Sequence, residues 1–79
     1  MTPGDLARMV QDGELIRALA LAGAALAGAD LSGGVFEAVD FSGADLAGAR
    51  FREAILVNCR FGSAHLAGAD LSKASFARF

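Results

Sequence analysis

Asp45, Cys59, Ser63 and His65 are the residues of this sequence that by type and spacing could take part in nucleophilic chemistry. A hydroxyl or thiol nucleophile needs a general base within hydrogen-bond reach, and the base needs a group that orients it. His65 is the single histidine, and Asp45 stands twenty residues before it. Asp45 beside His65, with Ser63 close by, is therefore the nominal nucleophilic constellation. One His and one Cys are too few for a zinc site. The Gly-rich runs are not followed by the Gly-Lys-Ser/Thr that a phosphate loop requires. Whether any of these side chains meet depends on the elements that carry them, and one spacing governs those elements.

From Leu21 to Phe76 every fifth residue is Leu or Phe: Leu21, Leu26, Leu31, Phe36, Phe41, Leu46, Phe51, Leu56, Phe61, Leu66, Leu71 and Phe76. A helix turning about 100° per residue would spread these around its cylinder. A strand alternates faces with period two, so a step of five sends successive ones to opposite sides. All twelve share one interior only if the backbone bends once per repeat. Strict repetition at so short a period is the mark of a solenoid.

The residue two before each of these is small and apolar at nearly every repeat, as at Ala24, Ala29, Gly34, Ala44, Ala49 and Ala54. It suits a second inward position in a narrow coil. Gly23, Gly28, Gly33, Gly43, Gly48 and Gly68 share one register, where tight corners favour glycine. The runs Gly28-Ala29-Asp30-Leu31-Ser32, Gly43-Ala44-Asp45-Leu46-Ala47 and Gly68-Ala69-Asp70-Leu71-Ser72 resemble the pentapeptide-repeat proteins, whose signature is Ala-Asp/Asn-Leu-x-x. The resemblance covers about residues 19–78. It implies an all-β solenoid, a right-handed quadrilateral parallel β-helix with four pentapeptides to the coil and about three coils in all. Residues 1–18 lack the pattern and form the expected N-terminal helical cap, with the β-helix over residues 19–79.

Composition sets the outer limits. Seventy-nine residues make one small structural unit, and 54% are apolar because Ala and Leu fill the repeats. No apolar run reaches the length of a membrane span, and the N-terminus does not read as a secretory signal. A single cysteine forms no internal disulfide and suits a reducing, cytoplasmic compartment. A net charge of −2 points to no class of partner. Arg50 and Arg60 stand among acidic residues, so there is no basic stripe for nucleic acid.

The ends of a short solenoid expose its core unless something covers them. At the N-terminus Thr2, Pro3 and Asp5 read as a helix N-cap, a first-turn proline and a capping-box acid. Leu6, Met9 and Val10 form one apolar stripe, and Gly13 stops the helix. Leu15, Ile16 and Leu19 lead into the first coil by way of a short second helical turn. At the other end Phe76 is the last core residue and Phe79 stands where a small residue is usual. Family members of this kind often dimerise end to end, and the resemblance implies a homodimer through the C-terminal coil.

With twenty residues to a coil, outward residues stack in four columns about 4.8 Å apart. These are Ala20, Asp40, Arg60; Ala25, Asp45, His65; Asp30, Arg50, Asp70; and Val35, Ile55, Ser75. The third predicts a ladder of salt bridges. The fourth, with Val57 beside it, is an apolar strip and a candidate contact surface. His65 then points outward on a convex face while Cys59 points inward, so no catalytic residue, metal site or cofactor site is expected. The expected function is a non-catalytic protein-interaction or structural module. Its candidate interaction residues are Val35, Ile55, Val57, Phe76 and Phe79, and its protein partner is not specified by the sequence. Some pentapeptide repeats are appended to larger bacterial machines. The alternative that the resemblance implies is a DNA-mimicking inhibitor of a type II topoisomerase.

Overall fold

The five-residue metre becomes structure through one left-handed corner per repeat. The computed structural model describes residues 2–77. In it every fifth residue from Gly13 to Lys73 has a positive φ, between 51° and 76°. Most corners close as a turn in which the small inward residue donates to the large residue three before it, as Ala44 N–H does to the Phe41 carbonyl at 3.0 Å. Gly43 takes the third place of that turn at φ 67°, the position where a type II turn favours glycine.

Between corners the backbone is extended. Strands β1 (Leu15–Arg17), β2 (Val35–Glu37), β3 (Ile55–Val57) and β4 (Ser75–Ala77) form one parallel sheet in that order. Its register steps by twenty residues, with Ile16 beside Phe36, Phe36 beside Leu56, and Leu56 beside Phe76. Three further parallel ladders of single bridges join Ala20–Asp40–Arg60, Ala25–Asp45–His65 and Asp30–Arg50–Asp70. These are the four columns expected from the sequence. The large residue after each rung donates its N–H to the next coil, as Leu26 does to Asp45 O and Leu46 to His65 O, both at 2.8 Å. Each large apolar side chain is thereby aligned with the one twenty residues away.

Residues 15–17 differ from expectation. They form the first strand rather than a second helical turn. Ile16 lies five residues before Leu21, on the same metre, and pairing with Phe36 holds it extended. The flanking Glu14 and Arg17 lack the Ala/Gly signature, which hides this repeat in the sequence.

Helix α1 (Pro3–Gln11) packs over the N-terminal end of the coils, shorter than the expected cap of residues 1–18 because residues 15–17 join the sheet. Thr2 Oγ1 accepts from Asp5 N–H, and Asp5 Oδ2 accepts from Thr2 N–H, both at 3.1 Å. Leu6 is fully buried in the core, with Met9 and Val10 packed against it. Above this helix lie the layer of Ile16, Leu21, Leu26 and Leu31 and then that of Phe36, Phe41, Leu46 and Phe51, all buried. The second layer is aromatic. Phe36, Phe41 and Phe51 sit with ring centroids 5.8 Å apart in edge-on contacts. Gly34 makes room for this packing, because a Cβ there would lie 2.6 Å from Cε2 of Phe36.

Candidate functional site

The structure places the nominal catalytic residues where they do not combine. His65 is exposed and shares a backbone ladder with Asp45. The Asp45 carboxylate accepts instead from the backbone N–H of Ala47, at 3.2 Å. Ser63 occupies an exposed left-handed corner at φ 58°. Cys59 is turned toward the core, its Sγ 3.6 Å from the carbonyls of Phe36 and Val57. Burial pushes its thiol pKa up, which disfavours the nucleophilic thiolate.

The same local physics governs the acidic columns. The carboxylate just before a core residue accepts the N–H two residues on, closing a small Asx turn. Asp40 does so to Ser42 at 2.9 Å, Asp70 to Ser72 at 3.0 Å and Asp30 to Ser32 at 3.2 Å. Each of these three carboxyls is held below its ordinary pKa, first by the serine hydroxyl and then by that backbone N–H. The expected salt-bridge ladder along Asp30, Arg50 and Asp70 does not form in that way. Asp70 pairs with Arg52, not Arg50, at 3.5 Å. A short Asp side chain reaches its own turn more readily than the guanidinium on the next rung. A second ion pair, Arg17 to Glu37 at 3.5 Å, belongs to the strand ladder that begins one repeat earlier than the sequence suggested.

What the fold does bring together is apolar surface, in two places. On the strand face Val35 and Ile55 point outward at 36% and 44% exposure, and Val57 is half-buried beside them. Leu15, 50% exposed, extends this strip by one rung. Sequence reasoning missed it, although it stands twenty residues before Val35. The second place is the C-terminal end of the coils. Phe61 and Leu66 are partly buried, Leu71 is 36% exposed and Phe76 is 58% exposed. These four line one concavity with an entirely apolar wall. The backbone N–H groups of Phe61, Leu66 and Leu71 have no acceptor among the described residues, whereas the equivalent groups one coil below are all bonded. Among the described residues this end is therefore an apolar floor ringed by N–H groups without a bonded acceptor. Phe79, the remaining candidate, lies outside the described residues.

A parallel solenoid that repeats every twenty residues, with an apolar interior and no assembled catalytic group among the described residues, defines a class of repeat scaffold. The pentapeptide repeats family model matches residues 21–56 and 54–78 in eight copies, and the chain belongs to that family. Its members are generally structural or protein-interaction modules. No curated protein matches the chain. Among the described residues no helix is long and apolar enough to cross a membrane.

Proposed function

We propose that this chain is a non-catalytic interaction module: a right-handed, four-sided β-helix that acts as a rigid block and offers its C-terminal end to a protein partner. The observation that carries this reading is the asymmetry of the two ends. One end is sealed by Leu6, while the other leaves Leu71 and Phe76 in water. Exposed large apolar groups grouped around an unpaired sheet edge are a recognised mark of a contact surface. A second copy is one partner that fits. The molecule is about 23 Å across, so two ends meeting would bury on the order of 1,000 Å² in total, the lower bound for a stable interface. The rim carries Arg60 and Lys73 as well as Asp70, so two copies would not meet as single-sign surfaces. The lateral strip of Leu15, Val35 and Ile55 is the secondary contact face. The single free cysteine suits a reducing compartment, and we place the module in the cytoplasm.

The ladders give no support to a DNA-mimicking topoisomerase inhibitor. Arg60 stands in the column of Asp40, and Arg50 separates Asp30 from Asp70. Light scattering and partner recovery with Phe76→Asp and Ile55→Asp variants test the module reading. Loss of self-association or of a recovered partner in the Phe76→Asp variant, with the circular-dichroism spectrum retained, is the expected result. Unchanged behaviour in both variants would end this reading.

A further inference from the structure

Corner composition and core burial both set the third coil apart from the two beneath it. At the four left-handed corners of each coil, the first coil has one non-glycine residue, Ala18. The second has two, Ala38 and Glu53, and the third has three, Asn58, Ser63 and Lys73. An L-residue in this conformation is generally strained where glycine is not, although Asn58 is of a type that adopts it readily. The core layer of the third coil is also the least covered. Leu56 is buried, but Phe61 and Leu66 are partly open and Leu71 is exposed, whereas the whole layer beneath is buried. The third coil is therefore bound to the rest by fewer desolvated contacts, on corners less often supplied with glycine.

Phe61 is the aromatic link between the third coil and the layer beneath it. Its ring stacks on Phe41 with centroids 5.0 Å apart, and it makes edge contacts to Phe51 and Phe76 at 6.2 Å. One side chain thus contacts rings that belong to three different sides of the coil. We propose that the third coil, from Ile55 onward, opens as one cooperative unit while α1 and the first two coils stay folded. Stacked repeats that touch only their neighbours permit such sub-global opening.

Hydrogen exchange tests this, because two rings of amides have matched static bonding. Arg60, His65 and Asp70 donate across the upper boundary to Val39, Ala44 and Ala49 at 2.9–3.0 Å. Asp40, Asp45 and Arg50 donate across the lower one to Leu19, Ala24 and Ala29 at 2.8–3.1 Å. Unit opening gives the three upper amides one shared protection factor, smaller than the lower ring's by about tenfold or more. Leu71→Ala, confined to one side of the coil, then lowers protection at Arg60, His65 and Asp70 by a common factor and leaves the lower ring unchanged. Equal protection of the two rings would overturn the proposal. So would a Leu71→Ala effect limited to Asp70, or upper amides that lose protection one by one from the C-terminal side.

Discussion

The aspartate of the Ala-Asp-Leu runs illustrates how a residue is explained by its own turn. It looks like half of a catalytic pair or of a salt-bridge ladder, yet its carboxylate is occupied by an N–H two residues ahead. This has a consequence in acid. Asp30, Asp40 and Asp70 have folded-state pKa values below the ordinary 3.8. A carboxyl whose pKa is depressed on folding contributes stability that is complete above its unfolded value and is lost as pH falls through the folded one. Thermal midpoints of the native protein are expected to drop more steeply below about pH 4 than those of a variant carrying Asp30→Asn, Asp40→Asn and Asp70→Asn. The two curves then converge in acid; parallel curves would show that the turns do not depend on ionisation.

At the scale of elements, α1 and the first coil are one device. The capping box fixes where the helix starts, Asp12 and Gly13 end it, and the stripe of Leu6, Met9 and Val10 lies on the floor that Ile16, Leu21, Leu26 and Leu31 would otherwise expose. An isolated helix of 9 residues is marginal in water, so packing rather than propensity keeps α1 in place. Leu6→Ala removes a fully buried side chain at that junction. It is expected to cost about 2–5 kcal/mol, measured by urea unfolding. A cost near zero would mean that the helix is not the seal it resembles.

For the whole molecule, the consequence of stacking is a gradient. The same residue type has a different weight according to its layer. Phe51, fully buried in the aromatic layer, is expected to cost about 3–5 kcal/mol on replacement by Ala. Phe76, at the open end, is expected to cost about 1 kcal/mol or less. Equal losses in matched denaturation curves would show that the end is covered in solution, as a docked second copy would cover it.

Much of this was legible because a solenoid is nearly one-dimensional. The step of five set which side chains go inward, which residues stack at twenty, and where glycine corners fall; the Thr2-Pro3-Asp5 sequence marked the cap. Periodicity carries such features because every coil solves the same local problem. It was blind where the metre lacks its usual letters, so the strand at Leu15–Arg17, its ion pair and the exposed Leu15 emerged only from the pairing. It was also blind to competition between partners: only the folded chain shows Asp30 and Asp70 bonding their own turns, or Asp70 choosing Arg52. The unequal burial of chemically equivalent Leu and Phe residues is likewise tertiary. A repeat in the sequence is the same at every coil, whereas burial depends on what lies above and below it.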